Sequence, residues 1–410
     1  MIEPRSSLAA GASGWFRTGT PLVLFVTLGL PAGAVGVAWP QMRASLGAPL
    51  AGLGLLLAAY TAAYFVASAA SGFLGARLGT AALLAAGCGL AAFGLLGLSV
   101  ATAWWMVPVV TLLLGGGSGL IDAAANAHSS LNRGVRFMGW LHASWAVGAA
   151  LGPPLVVASI GATGSWRASF GAMAAAFLAV GFLVGYRPQD WIDTRPDVDR
   201  PSPAALVPRS SRRRALVLLI GLFVLGAGLE GTAGDWSYTQ LTAGRSLSSG
   251  LAGLGASLFW VGLAGGRAAM GLFGNRIAPD RLLDISVGIS ALGALAFWLA
   301  PPLASALIAL PILGAAVSVI FPLLLSITPT RVGTEMTSHA IGYELAAGTL
   351  GGGGLPALTG LILQAAGLLT LGPLLTAFAA GLLVLHLVSR LTPPRVDSRS
   401  QPHARDPRAS

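Results

Sequence analysis

The chain has no lysine and a single cysteine, and only 9% of its 410 residues are charged. An average soluble protein carries about 25% charged residues, so a globular water-facing surface cannot be built from so few. The one thiol, Cys88, lies inside an apolar run and excludes an intramolecular disulfide. Enzyme signatures are also missing. The sequence has no His-Glu-x-x-His zinc site, no Gly-x-Ser-x-Gly nucleophile elbow and no phosphate-cradling P-loop. These absences argue against a membrane enzyme, a metal centre, a bound cofactor and ATP-driven pumping by this chain. The lack of lysine beside abundant alanine reads as GC-rich bacterial coding rather than chemistry. Acids are scarce as well, 14 against 24 arginines, for a formal net charge of +10. The arginines scatter over short loops and tails instead of forming one folded basic face, so the charge points to membrane topology and not to nucleic acid.

What is abundant is apolar sequence, at 55% of the residues. Its runs repeatedly exceed the ~18 to 20 residues that a helix needs to cross hydrocarbon. An all-α polytopic membrane protein follows. Twelve spans are expected at about 20–39, 52–73, 81–103, 105–127, 138–160, 168–186, 216–238, 251–273, 282–300, 303–327, 338–361 and 371–391. Ala32-Gly33-Ala34 resembles a signal-peptidase site, but the apolar run continues to Trp39, so the first segment reads as an uncleaved helix.

With both termini inside, Arg5, Arg17, Arg77, Arg133, Arg136, Arg276, Arg281 and Arg331 fall on the cytoplasmic side. So do the seven arginines of the linker and the five from Arg390 to Arg408. Only Arg43, Arg167 and Arg245 fall outside, and the positive-inside rule sets the expected orientation. The domain reading is a cytoplasmic tail (1–19), a six-helix half (20–186), a Pro-rich charged linker (187–214) expected to be a flexible tether, a second six-helix half (215–391) and a disordered tail (392–410).

The halves repeat. Gly72-Phe-Leu-Gly75-Ala-Arg77 returns as Gly271-Leu-Phe-Gly274-Asn-Arg276 at an offset of 199 residues, which also carries Gly29 onto Gly228 and Gly115 onto Gly314. Parallel six-helix repeats imply alternating access around a central site.

Charge inside the spans is confined to a few positions. Gly115, Gly119, Asp122 and Asn126 share one face of span four, where small residues are expected to clear space beside an acid and an amide. A charge at the bilayer centre costs at least ~2.5 to 3.5 kcal/mol, which makes such residues candidates for function. Glu230 and Asp235 lie in span seven, Arg267 in span eight and Glu344 in span eleven. Glu230 shares a face with Gly226 and Gly234, and Glu344 with Gly348 and Gly351. Asp235, close to the outer end, reads as solvated or as packing.

With these residues in view, the chain resembles the major facilitator superfamily over nearly its whole length. The run from Gly72 to Gly79, Gly-x-Leu-x-x-Arg-x-Gly, is similar to that family's loop motif after span two, although Ala76 stands where the motif has an acid. A narrower resemblance is to the fucose-permease-like branch and its bacterial inner-membrane relatives. It rests on Asp122-Ala-Ala-Ala-Asn126, on Leu141-His142 with Trp145, Gly148 and Gly152-Pro153, on Glu230 to Ser237, on Gly266-Arg267, and on Phe321-Pro322. The resemblance implies a secondary transporter of a small organic solute, monomeric, in the bacterial cytoplasmic membrane. The first span has no ionisable residue, and asparagine and glutamine are scarce in the spans, which argues against a sugar or other polyol.

The expected roles are proton coupling at Asp122, His142 and Glu230, substrate contact at Asn126, Trp145 and Glu344, and gating or ion pairing at Arg77, Arg267 and Arg276. Arg267 needs an anionic partner, Glu344 or Glu230, or the mouth of the cytoplasmic cavity. Asp122 and His142 stand ten residues on either side of Asn132, which in an antiparallel helix pair puts them at matching depth. Desolvation favours a neutral carboxyl and hydration a charged one, so alternating access would let Asp122 load and release a proton. The alternatives are a drug-type proton antiporter and a sugar/proton symporter, and a non-transporting receptor on the same scaffold is a more remote one.

Overall fold

A computed structural model describes residues 5–132, 135–191, 209–273, 276–333 and 336–391. Gly274, Arg133, linker residues 192–208 and the tail from 392 lie outside these residues. The described residues contain twelve helices long and apolar enough to span a membrane, and no strand. We number them α1 (Arg5–Leu46), α2 (Gly52–Leu78), α3 (Thr80–Val100), α4 (Met106–Asn132), α5 (Val135–Thr163) and α6 (Arg167–Tyr186) in the first half. The second half holds α7 (Arg209–Thr239), α8 (Ser249–Phe273), α9 (Pro279–Leu299), α10 (Pro302–Val332), α11 (Thr337–Ala366) and α12 (Leu371–Leu391).

The helices form because an apolar chain without water must satisfy its backbone within itself. Their ends follow local chemistry. The last glycine of the loop motif, Gly79, adopts φ +81°, a conformation that side chains resist, and its N–H closes α2 on Gly75 O. α10 is interrupted twice, by a wide turn at Ser305–Ala309 and by a break at Ser318 and Val319. Pro322 explains the second break, because it has no N–H to offer the carbonyl of Ser318 four residues back.

Within the first half α1 packs on α5, α4 on α2 and α3, and α3 on α6. In the second, α7 packs on α11 and α12, α10 on α8 and α9, and α9 on α12. The halves meet through α5 with α8, α2 with α11 and α1 with α7, which leaves α3, α6, α9 and α12 outside the interface.

Glycines set how closely these helices approach, and they do so in matching places. A Cβ at Gly115 would overlap the backbone oxygen of Tyr60, and one at Gly314 that of Phe259; both residues of the first contact are shifted by 199 in the second. Gly94 against Leu114 and Gly293 against Leu313 repeat the same offset in the outer helices. By contrast Gly72 and Gly271 face open space.

The contacts between halves cluster away from the face on which the odd-numbered helices begin. Ser257 Oγ donates to Ala150 O at 2.7 Å, the Ala51 N–H to Gln364 Oε1 at 2.8 Å, and Gly36 seats against the backbone of Asp235.

Candidate functional site

The space that the glycines of α4 clear is filled by the backbone of α2. Gly115 lies on Tyr60 O and Gly119 on Tyr64 O, so α2 and α4 approach closely and present the two tyrosines beside Asp122. Tyr64 donates its hydroxyl hydrogen to Asp122 Oδ2. Asn126, one turn along, donates Nδ2 to Asp122 Oδ1 at 3.0 Å and to the Asp122 carbonyl at 2.9 Å. The Asn126 Oδ1 is buried without a partner among the described residues. Tyr60 stacks on Tyr64 at 6.0 Å between centroids. Asp122 thus has two neutral donors and, among the described residues, no ion pair.

His142 does not join this group. It sits edge-on to Phe25, 5.8 Å between centroids, and its charged neighbour is Arg267. Depth was the right measure for an antiparallel pair, but α4 and α5 are hardly a pair: α4 packs on α2 and α3, α5 on α1 and α8. A proton relay between Asp122 and His142 is therefore not formed.

A second group lies where α5, α7, α8 and α10 converge. Arg267 Nη2 is 3.5 Å from Glu230 Oε1, with 16% and 18% of the two side chains exposed. Its Nε reaches the Ser318 carbonyl at 3.4 Å, the group that Pro322 leaves unbonded. The guanidinium stands 5.7 Å from the ring centre of Trp145 across the interface, and Trp145 meets Trp260 edge-on at 5.6 Å. Of the two acids expected near Arg267, Glu230 is the one beside it.

Glu344 is elsewhere. It is fully buried in the packing of α10 and α11, where both carboxylate oxygens lie 2.9 Å from the Thr328 hydroxyl. Its flanking glycines pack too, Gly348 on Phe321 and Gly351 on Val224, so no solute reaches Glu344 in this conformation. Arg77 and Arg276 are exposed, and neither pairs with a carboxylate among the described residues. Each lies over a phenylalanine of its own segment, Phe73 at 4.0 Å and Phe273 at 5.4 Å. Ala76, in the place of an acid, gives Arg77 nothing to pair with there. Asp235 is buried against α1 rather than solvated. Trp236 is packing, its indole N–H bonded to Pro356 O at 2.9 Å.

Three features escaped the sequence reading. Tyr60 and Tyr64 are two of only five tyrosines and stand one turn apart in an otherwise apolar span, which is a usable signal. At one end of the second half, Arg331 binds Asp280 at 2.7 Å, Arg390 reaches Asp280 at 3.5 Å and Asp284 at 3.3 Å, and His386 binds Asp284 at 2.6 Å. Asp280 and Asp284 stand one turn apart on α9, and His386 and Arg390 one turn apart on α12, so each helix presents its pair on a single face. The linker also begins tied down rather than free: Pro188–Trp191 forms a short helical turn, and the buried Trp191 ring lies 5.0 Å from His128.

Residues 22–356 match the family model of the Major Facilitator Superfamily. No curated protein sequence matches the chain. Among solved structures, the chain resembles the crystal structure of the major facilitator transporter FucP in the outward conformation, at 16% identity and a TM-score of 0.61. The match covers 92% of this chain and 99% of that one. It also resembles a mutant of the nucleoside transporter NupG at 14% identity and a TM-score of 0.71, with the same coverage. At these identities the likeness is one of fold. The family match over most of the length, with twelve spanning helices in two halves, places the chain in the Major Facilitator Superfamily: it belongs to that family as an integral membrane transporter and not an enzyme.

Proposed function

We propose that the chain moves a small organic solute by alternating access and couples that movement to protons at Asp122. The observation that carries the reading is the company of Asp122 among the described residues: a tyrosine hydroxyl, an asparagine amide and no cation. A membrane-embedded carboxyl with no fixed counter-charge has the proton as its natural one. Tyr64 and Asn126 can hold it in either state, because each offers a donor to the carboxylate and Asn126 keeps an unused acceptor. The halves touch away from the face where α1 begins, which supports a conformation closed on the far side. Together with the arginine distribution, this supports reading the closed side as the outer one and both termini as lying in the cytoplasm of a bacterial cell. The carrier acts as a monomer, since each half supplies part of one central site.

Flux in reconstituted vesicles with and without a pH gradient tests this reading. Asp122→Asn is expected to abolish gradient-driven accumulation and spare solute exchange. If Asp122→Asn still accumulates solute with an unchanged pH dependence, Asp122 is not the coupling group. The sign of the pH gradient that drives flux separates symport from drug-type antiport.

A further inference from the structure

We propose that Arg267 binds a carboxylate of the transported solute, displacing Glu230, and that the solutes are organic anions with a flat apolar body. The inference rests on the carrier reading above and concerns its central site. A guanidinium has five N–H donors in a planar fork that suits a carboxylate held by two parallel bonds. Elsewhere in this protein that capacity is well used. Arg245 donates to Trp298 O, Ser305 Oγ and Ala300 O at 2.6 to 3.0 Å, and Arg331 binds Asp280 at 2.7 Å. Arg267 is held by two long contacts only, 3.5 Å to one oxygen of Glu230 and 3.4 Å to Ser318 O, and its Nη1 donates to none of the described residues. A mostly buried cation so loosely paired is ready to exchange its partner for one of better geometry.

The surroundings suit the rest of such a solute. Trp145 and Trp260 stand at 82° to each other and form an aromatic corner beside the guanidinium. Trp260 is 4% exposed and its indole N–H has no acceptor among the described residues, which leaves a buried donor for a second solute oxygen. His142 of α5 is close enough to feel the charge of Arg267 of α8, and Glu230 of α7 is the acid beside that arginine. A neutral polyol would leave this arginine without gain, and a cation would be repelled by it.

Charge balance fixes what happens to Glu230. Before binding, the site holds one guanidinium and one carboxylate. When the solute carboxylate takes the guanidinium, Glu230 is left without a counter-charge and takes up a proton on binding, so the net charge of the site is unchanged.

Purified full-length protein in nanodiscs tests this with benzoate, its neutral isostere benzamide and the cation benzylammonium. Benzoate is expected to raise the thermal midpoint saturably and to change tryptophan fluorescence, and the other two are not. About one proton should be taken up per benzoate bound in weakly buffered solution, and none in Glu230→Gln. Arg267→Gln should weaken benzoate binding roughly 10- to 100-fold, the loss expected of hydrogen bonds to a charged group. Arg267→Lys should fall between, since it keeps the charge and loses the fork, and it serves if Arg267→Gln does not fold. Benzamide binding as well as benzoate, unchanged benzoate affinity in either arginine variant, or no benzoate binding at all would each overturn the proposal. Flux of another solute that survives Arg267→Gln would sink the anion site and leave the carrier standing. Benzoate binding without flux of any solute would do the reverse.

Discussion

Gly115 and Gly314 occupy matching contacts in the two halves, and replacing each with alanine puts two opposed effects in one measurement. Alanine in place of glycine in a helix interior favours the helix by about 0.5 to 1 kcal/mol. Here the added methyl would overlap a backbone oxygen, of Tyr60 in one half and of Phe259 in the other, and neither can rotate away as a side-chain tip could. The helices must separate by on the order of 1 Å, and such overpacking costs typically 1–3 kcal/mol or more, so the steric term wins. Gly72→Ala and Gly271→Ala are the internal controls, since their added methyls meet open space and only the helix preference acts. The expected result is a lower thermal midpoint for Gly115→Ala and Gly314→Ala, an equal or higher one for the controls, and near-additive losses in the double variant. Intrinsic fluorescence from the eleven tryptophans reports the transition in detergent, compared at one scan rate because such unfolding is often irreversible. Function should separate the two variants. Gly115→Ala moves α2, and with it Tyr64, away from Asp122, so proton-driven flux falls beyond what lost stability explains, whereas Gly314→Ala leaves that bond alone. If Gly115→Ala is as stable as Gly72→Ala, the close approach of α2 and α4 is not what this contact describes, and the account of how Asp122 gains its tyrosine fails.

Thr328→Val keeps the shape of the side chain but removes the hydroxyl hydrogen from a fully buried Glu344. It should lower stability by about 1–3 kcal/mol, the cost of stranding a buried polar group, read as a fall in thermal midpoint; no change would mean that Glu344 is served by another donor. Trp191→Ala should speed hydrogen exchange across residues 187–191 while solute flux stays as in the parent, because the ring ties the start of the linker to α4 at His128, more than one helical turn along from Asp122. Exchange that stays slow there would show that other contacts hold the turn.

The polar site was legible in part, and the boundary has a physical cause. Asp122, Glu230 and Arg267 stand out because ionisable groups in an apolar helix are costly, a property of each residue taken singly. Asn126 follows from helical register, one turn from Asp122. What register cannot say is which neighbouring helix meets a given face. Loop symmetry sets Asp122 level with His142, yet α5 turns toward α1 and α8, and Tyr64 from α2 takes the place. Glu344 looked like Glu230 in sequence, an acid flanked by glycines. The difference is that its face is buried against Thr328 of α10.

The architecture is written in the chain. Hydrocarbon excludes unsatisfied backbone, so apolar runs of sufficient length become spanning helices, and an offset of 199 residues marks two like halves because contacts such as Gly115 with Tyr60 need the same spacing wherever they recur. Which polar groups share a site depends on how the helices pack. Arg267 meets Glu230 rather than Glu344, and lies over Trp145 of the other half, because the rotation of each helix about its axis and the crossing of α5 with α8 are set by side-chain packing summed over the whole interface. No single stretch of chain contains that sum.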